Sequence, residues 1–544
     1  MERLWADRIS RRSLLRGAAL GGVGLATAAV IGCGDDDDDE APAPAPAPAA
    51  TQAAAPATPA RRTGSFTVGI SSRSVPNLDP NSTVNTGPMY TGVFDQLVRL
   101  DENAGLQPGL ATSWEIDSSN PRRWVYTLRE AEWSDGVAFS AADVKFAQDY
   151  IKNPDNKSNL VARVSTEESS EVIDDRTIAI ITADSDPELP RRTTLQQQFA
   201  KHIFEDPAKG PEWAAVNAVG TGSYVIQSYI RDQTTVLRES PTSWRGTEGM
   251  TEVTLEEITE TTTRLAAYEV GDLDIAFRIP IAEQVRLGGL PNSTIVQVPP
   301  TTSWSWDISP FKAPTSDLRV RFAIIHAIDY DTINETIMAG SSEVMQGQIL
   351  HMATPGHNPN LKPWGYDPDK SRQYLKDAGF ENGLDGLVAT TLFEQSAEQK
   401  PWAEACAGMW DEVGINIQLN PVETNLWREQ LYGRAEHDHL LWSTFSSQAI
   451  REPATQLQWY LSDHPSGYYD NQDFDAALKA ARATLDPEER SMAYWPVVEI
   501  MHHDPPAGYF ISRGSANAYY ENKFGAPLRV GGNSSIYLDE AVPA

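Results

Sequence analysis

The amino-acid sequence predicts a mixed α/β protein built from two or three lobes. The chain of 544 residues is too long for one hydrophobic core, because single cores stop growing at about 250–300 residues. Hydrophobic residues make up 40% of the chain, which is enough to fill several cores and excludes wholesale disorder. From Gly64 onward, segments with the period of a strand alternate with segments that have the period of a helix.

Residues 1–33 are predicted to be an export signal that ends in a lipid attachment site. Arg11 and Arg12 precede a weakly apolar Gly/Ala-rich run, which is too short and too rich in glycine for a stable membrane span. The motif RRSLLR resembles a Tat signal, and a Sec signal is the alternative. The small residue before Cys33 resembles a bacterial lipobox, in which the cysteine is diacylated and becomes the mature N-terminus. The chain is therefore expected to be exported and anchored on the outer face of the cytoplasmic membrane.

Residues 34–63 have the composition of a tether. A run of six acidic residues, DDDDDE, repels itself and the anionic membrane surface. The Ala-Pro alternation that follows favours polyproline II, which rises ~3.1 Å per residue, so that roughly 20 residues span on the order of 60 Å. The sequence therefore predicts that the folded body is held away from the membrane.

The body begins with GSFTVGI, whose alternation of apolar and polar residues is typical of a strand. AADVKFAQDYIK reads as a helix with Ser140 as its N-cap and Asp143 at the third helical position. LRVRFAIIHAIDYDTINETIM has apolar residues at helical spacing, and DPDKSRQYLKDAGF is a further helix that ends at Gly379. The sequence contains no short internal repeat.

Charge and cysteine content narrow the class of protein. The formal net charge of -31 argues against a nucleic-acid partner, because phosphate binding needs a basic face. With Cys33 assigned to lipid attachment, Cys406 has no intramolecular partner. It lies in the apolar helical stretch WAEACAGMWDEVG, where a buried structural thiol is expected.

Several blocks of the body occur in the order found in one known family. NLDPN, then YTGVFDQLVRLDENAGLQPGLATSWEI and WVYTLREAEWSDGVAFSAADVKFA, are followed by VGTGSYVIQSYIRDQTTVLRESPTSWRG and TRLAAYEVGDLDIAF. DLRVRFAIIHAIDYDTI and YDPDKSRQYLKDAGF come next. In this order they resemble the family-5 extracellular solute-binding proteins, the peptide/nickel-type receptors of bacterial ABC importers. The resemblance covers nearly the whole chain after Cys33.

The resemblance implies a two-lobed, flytrap-like periplasmic-binding-protein fold with an additional domain, the lobes being formed by discontinuous segments. Domain I would combine residues 64–97, 216–300 and 516–544, with domain II at 98–215 and domain III at 301–515. A ligand would bind in the cleft of a monomer and stabilise a closed state that the permease subunits of an ABC importer recognise.

Catalytic and cofactor motifs are missing from the sequence. It contains no Gly-x-Ser-x-Gly elbow, His-Glu-x-x-His motif, P-loop or Rossmann fingerprint. His437 and His439 would share one strand face, but no third metal ligand is evident near them, and a polar strand face is the favoured interpretation. We therefore expect a protein that is not an enzyme and that carries neither a metal nor another cofactor.

Aromatic and hydroxyl-bearing residues fall where this family places its cleft. Flat aromatic rings stack on peptide side chains or sugar rings, while hydroxyl and amide groups orient a ligand by hydrogen bonds. A place in the hydrophobic core is the alternative for each tryptophan. The predicted ligand-binding residues are Asn85, Thr86, Trp304, Trp306, Trp442, Thr444, Phe445, Ser446, Ser447, Glu452 and Trp459.

The segment LLWSTFSSQAIREP lacks a carboxylate that peptide-binding members of the family have. Their matching strand runs into Trp-x-Ala-Asp, and the aspartate pairs with the α-ammonium group of the peptide. Ser447, or one of its neighbours, stands at that place here, and a serine cannot balance a buried ammonium. Glu452 and Asp438 are the candidates to compensate.

Three readings of the ligand and role follow. An oligopeptide or peptide-like ligand is the family default, and an oligosaccharide or other uncharged ligand is the alternative favoured by the Trp- and Ser/Thr-rich surface. A ligand-presenting sensor component without import is an alternative of another class.

Overall fold

The computed structural model describes the chain in ranges, namely residues 63–71, 75, 77–81, 87–298, 302–345, 347–393, 398–433, 437–445, 451–464, 466–530 and 536–544. Arg61–Ala544 form one compact unit. The predicted signal, the lipid attachment site Cys33 and the tether up to residue 62 lie outside the described residues. No helix in the described ranges is long and apolar enough to cross a membrane.

Strands and helices alternate along the described part of the chain. The strands are β1 Gly64–Ile70, β2 Val98–Leu100, β3 Leu106–Pro108, β4 Ala111–Asp117, β5 Asn120–Leu128, β6 Glu167–Asp174, β7 Thr177–Thr182, β8 Tyr224–Ile230, β9 Thr234–Glu239, β10 Met250–Glu257, β11 Ile275–Ile279, β12 Ser293–Gln297, β13 Thr302–Ile308, β14 Ser342–Val344, β15 Leu384–Thr391, β16 Ile415–Pro421, β17 Leu440–Phe445, β18 Ala507–Arg513 and β19 Ala516–Tyr520. The α-helices are α1 Pro88–Val93, α2 Ala141–Lys152, α3 Leu189–Arg192, α4 Lys201–Phe204, α5 Gly210–Ala214, α6 Thr261–Glu269, α7 Ile281–Gly288, α8 Leu318–His326, α9 Tyr330–Thr336, α10 Pro368–Asp377, α11 Gln399–Glu412, α12 Thr424–Tyr432, α13 Pro453–Leu457, α14 Gln472–Ala483, α15 Pro487–Ala493 and α16 Trp495–His503.

Three large sheets organise these elements. Sheet I has seven strands in the order β12-β19-β11-β1-β10-β9-β8, sheet II has the order β4-β5-β7-β6, and sheet III has the order β14-β18-β13-β17-β15-β16. Strands β2 and β3 form a separate two-stranded sheet and directly precede sheet II in the sequence. All strands of sheet I fall in the segments predicted as domain I, those of sheet II in domain II and those of sheet III in domain III. The domain boundaries themselves stay a prediction.

Two neighbouring connections join sheet I to sheet III. β12 pairs with β19 in sheet I, and β13 pairs with β18 in sheet III, both antiparallel. The chain therefore passes from sheet I to sheet III between β12 and β13, and it returns to sheet I between β18 and β19. The Val298 N–H donates to the Ser515 carbonyl at 2.7 Å between these two connections. We call them the crossing segments, and a pair of short connections of this kind is where two lobes can hinge.

Local capping follows the sequence prediction in two helices and refines it in a third. The Ser140 N–H donates to Asp143 Oδ2 at 2.9 Å, which confirms the predicted capping box of α2. Gly379 has φ +92° just after α10, where a left-handed residue ends a helix at little cost. The helical segment that starts at Leu318 is two helices, because Asp329 accepts from the Thr332 N–H at 3.0 Å and begins α9 anew.

A buried ionic cluster joins the three separate segments predicted to form domain I. Arg245 Nη2 lies 2.9 Å from Asp95 Oδ1, and Arg245 Nη1 contacts the carboxylate of Asp539. Trp244 Nε1 donates to Asp95 Oδ2 at 2.8 Å. Burial would raise the pKa of Asp95, but the guanidinium groups of Arg245 and Arg99 and the hydrogen bonds hold that pKa below its usual value. The cluster fixes the first and last parts of this lobe to its middle.

The remaining cysteine is structural, as predicted. Cys406 is fully buried on α11. Burial raises the pKa of its thiol to about 12, so that the group is not ionised at neutral pH.

Candidate ligand-binding cleft

The carboxyl ends of the parallel strands of sheets I and III face each other. In sheet I, β10 and β11 run parallel to β1, and in sheet III, β16 and β17 run parallel to β15. Ile281 follows the carboxyl end of β11, and its N–H donates at 3.1 Å to Oε1 of Glu398, which stands beyond the carboxyl end of β15. In open α/β sheets, ligands bind in the crevice outside the carboxyl ends of the strands. The space between these two edges is therefore the candidate cleft.

The carboxyl end of β17 lies on the cleft side of sheet III. β17 pairs with β13 in antiparallel fashion, so that Phe445 stands opposite Ser303. Ser303 is at the start of β13, directly after a crossing segment. The predicted ligand residues Asn85, Thr86, Ser446 and Ser447 and the side chain of Phe445 lie outside the described residues, so their role stays a prediction.

Three of the predicted ligand-stacking tryptophans pack against other tryptophans. The Trp306 ring is stacked on Trp402 of α11 with centroids 5.1 Å apart, and Trp304 meets Trp442 edge to face at 5.8 Å. Trp427 Nε1 donates to the Trp442 carbonyl at 2.8 Å. All of these rings are buried, and Trp306 and Trp442 are 0% exposed. The packing favours the core alternative for these residues over contact with a ligand.

Glu452 is used within its own helix. Its carboxylate accepts from the Ala454 N–H at 3.1 Å and from the Thr455 N–H at 2.6 Å, and so caps the N-terminus of α13. The side chain is 1% exposed. These bonds use both carboxylate oxygens, which makes Glu452 a poor replacement for an aspartate that pairs with a ligand ammonium.

The other predicted positions are less enclosed. Thr444 is half-buried on β17, opposite Trp304. Trp459 is half-buried, with its ring centroid 5.1 Å from that of His464. Asp438 precedes β17, is half-buried, and its Oδ2 accepts at 2.6 Å from Oγ1 of Thr390, the residue before the last one of β15.

A row of buried polar side chains on sheet III escaped the sequence analysis. Ser305 Oγ and Ser443 Oγ are 2.8 Å apart, and Gln456 Nε2 donates to Ser303 Oγ at 3.2 Å. Tyr460 Oη donates to Asp307 Oδ1 at 2.8 Å. The polar residues alternate with Trp304 and Trp306 along β13, and this period of two was the signal that could have revealed the row.

Asp307 should make the stability of the protein depend on pH. Burial raises its pKa to about 7 from the ordinary 3.8, so between pH 4 and pH 7 the folded state keeps a proton that the unfolded state has lost. The stability contributed by this proton is present at low pH and is lost as the pH rises through 7. We expect Asp307→Asn to remove about 2–3 kcal/mol of the difference in unfolding free energy between pH 5 and pH 8.

Urea unfolding at the two pH values measures this difference. Asp385→Asn, at an exposed position of β15, is the matched control and should leave the pH dependence as it is in the wild type. An equal pH dependence of the unfolding free energy in Asp307→Asn and the wild type would contradict the raised pKa of Asp307.

An ion pair connects the regions predicted as domains II and III. Arg490 Nη2 of α15 lies 2.5 Å from Oε1 of Glu188, the residue before α3. Arg191 Nε of α3 is 3.4 Å from the other Glu188 oxygen. Both Glu188 and Arg490 are largely buried. This contact could not be predicted from the sequence, because its partners are about 300 positions apart.

Among the described residues, no group of three or more His, Cys, Asp and Glu side chains is placed to hold a metal ion. His437 is buried, its Nδ1 lies 2.7 Å from the Asp438 carbonyl, and burial lowers its pKa to about 4.

The family model described as "Bacterial extracellular solute-binding proteins, family 5 Middle" matches residues 105–473. The chain belongs to this family. Family-5 solute-binding proteins are ligand-binding receptors of ABC importers and are not enzymes.

Similar family-5 proteins carry names that state a ligand. The Glutathione-binding protein GsiB of Salmonella choleraesuis is 23% identical over 470 residues, which is 81% of this chain and 86% of that protein. The Dipeptide-binding protein of Escherichia coli K12 is 25% identical over 453 residues, covering 77% of this chain and 83% of that protein.

The crystal structure of NikA from Brucella suis in complex with Fe(III)-EDTA superposes with a TM-score of 0.77 at 20% identity. The match covers 88% of this chain and all of NikA. The predicted two-lobed periplasmic-binding-protein fold is confirmed.

Proposed function

We propose that the protein is an extracytoplasmic receptor that captures an oligopeptide or peptide-like ligand and delivers it to the permease of an ABC importer. Family membership and the cleft between the carboxyl edges of sheets I and III support this function. The crossing segments allow the lobes to close on a ligand, and a ligand that binds the closed form more tightly shifts the receptor to that form.

Membrane anchoring is part of the proposal. The RRSLLR motif, the small residue before Cys33 and the acidic and Ala/Pro-rich tether support export followed by lipid attachment. In that arrangement the receptor stays near its permease while the body remains in the aqueous space.

The names of the relatives favour a peptide-like ligand. One relative is named for glutathione and one for dipeptides. The oligosaccharide alternative depended on free tryptophan faces, and the rings of Trp304, Trp306 and Trp442 contact other tryptophans instead. We therefore retain the peptide class.

A thermal-shift screen of di- to pentapeptides and glutathione against cello-, xylo- and manno-oligosaccharides tests the proposal. A ligand at 100 times its Kd should add about 2.7 kcal/mol to the unfolding free energy. We expect stabilisation by peptides, and N-acetylated peptides should stabilise as well as free ones because a serine, Ser447, stands where peptide-binding members of the family have the aspartate that pairs with the ammonium. Stabilisation by an oligosaccharide and by no peptide would overturn the peptide assignment.

A further inference from the structure

The part of the chain that carries sheet II is fastened to the part that carries sheet I. The Gln198 N–H donates to the Asp95 carbonyl at 2.8 Å, and Tyr537 Oη donates to the Leu100 carbonyl at 2.6 Å. The polypeptide continues from these two sheets into sheet III through the crossing segments. We call the part with sheets I and II the first lobe and the part with sheet III the second lobe.

Glu188 and Arg490 form an ion pair between the two lobes. Glu188 Oε1, on the first lobe, lies 2.5 Å from Arg490 Nη2, on the second lobe. The two side chains are only 14% and 11% exposed, so water is largely excluded from the contact. A charge-assisted hydrogen bond in such surroundings is strong. Because its partners belong to different lobes, it stabilises the protein only while the lobes are together.

Each partner of this ion pair is also bonded within its own lobe. Arg490 Nη1 donates to the Leu485 carbonyl at 2.8 Å. On the first lobe, Arg191 Nε lies 3.4 Å from the other oxygen of Glu188, and Arg191 Nη1 donates to the Ala104 carbonyl at 2.8 Å. These bonds can persist when the lobes separate, so opening leaves neither charge without a partner. The pair between the lobes can therefore form and break reversibly.

We propose that Glu188 and Arg490 are a latch, a contact that forms when the lobes close on a ligand and breaks when they open; this inference rests on the proposed function. The latch acts on the closure equilibrium and not by contact with the ligand. A closed form that the latch favours costs the ligand less to populate, so the latch raises the apparent affinity of each ligand that the closed cleft accepts.

Calorimetric titration of the full chain with trialanine and with glutathione, together with urea unfolding of the ligand-free protein, tests the latch. Glu188→Gln and Arg490→Gln should each weaken binding about tenfold, as loss of one charge-assisted hydrogen bond implies. The double variant should lose no more than either single variant, because the two side chains act as one pair. The urea midpoint of the ligand-free protein should stay that of the wild type. Glu489→Gln, exposed on the same helix α15, is the matched control and should keep both quantities.

A cross-link measures the same movement without a ligand. In the double variant Glu188→Cys, Arg490→Cys on a Cys33→Ser background, a short bis-thiol reagent can join the two positions, and the buried Cys406 does not compete. If the contact forms and breaks, the cross-linked protein should have a smaller radius of gyration in small-angle X-ray scattering than the same variant before cross-linking.

The outcomes separate the latch from the proposed function. Unchanged affinity in both single variants overturns the latch and leaves the peptide receptor in place, and a lower urea midpoint would then identify a permanent contact. Failure of the cross-link to form, or equal radii of gyration before and after cross-linking, overturns the latch as well. If neither probe binds the wild type while cross-linking compacts the protein, the latch stands and the peptide assignment falls.

Discussion

Replacing Arg245 by methionine is expected to destabilise the protein by about 3–5 kcal/mol, toward the upper end of that range. The arginine side chain is 8% exposed and contacts the buried carboxylates of Asp95 and Asp539. Methionine fills a similar volume but leaves Asp95 buried without its paired guanidinium and leaves Asp539 with Arg99 alone, whose Nη2 is 3.3 Å from Asp539 Oδ2. The loss also removes one of the contacts that connect residues 64–97 and 516–544 to the middle of the lobe, while the strand pairing of sheet I remains.

Urea unfolding of Arg245→Met measures the effect, and Arg238→Met is its control. Arg238 is exposed on β9, 3.2 Å from Glu252, and such a surface pair contributes only about 0–1 kcal/mol. The carboxylates that lose Arg245 in Arg245→Met should take up protons on acidification, so the loss of unfolding free energy relative to the wild type should shrink between pH 7 and pH 5. A deficit no larger than that of Arg238→Met would show that the cluster does not hold the lobe together.

The second large effect is expected from Trp306→Ala, which should cost about 3–5 kcal/mol of unfolding free energy. The ring is 0% exposed, and its centroid lies 5.1 Å from the ring centroid of Trp402 and 5.6 Å from that of Trp410, both on α11. Its removal opens a cavity between sheet III and that helix. Trp459→Ala is the comparison, because this half-buried ring packs less closely and its loss should cost less.

Chemical denaturation combined with ligand titration separates the two roles that a tryptophan at position 306 can have. The core assignment predicts a large loss of stability, with ligand affinity kept in the fraction that remains folded. A variant as stable as the wild type that no longer binds ligand would place the ring in the cleft, as the sequence analysis predicted.

The fold could be predicted because its signals are local and ordered along the chain. The capping residues Ser140 and Asp143 and the glycine at 379 act on their own helices, and the order of the family blocks implies the arrangement of the sheets. The division of the long segment after Leu318 was missed, although Asp329 carries the side chain of a helix cap.

The candidate site was harder to predict because the pattern of a strand does not show which of its two faces packs in the core and which faces a ligand. The period of two puts Trp304 and Trp306 on the same side of β13, but only the position of α11 shows that this side is core. The role of Glu452 could have been found, since an acid before Pro453 is a common start of a helix. The ion pair of Arg490 with Glu188 could not, because these two residues meet only in the folded chain.

We infer that the two lobes close around a peptide-like ligand, and small-angle X-ray scattering of the protein during a peptide titration measures this closure. With the peptide that gives the largest thermal shift, we expect a smaller radius of gyration, with a midpoint equal to the calorimetric Kd. A radius of gyration that stays constant while calorimetry shows the site filling would contradict closure. Saturable compaction with an oligosaccharide and none with any peptide would contradict the ligand class.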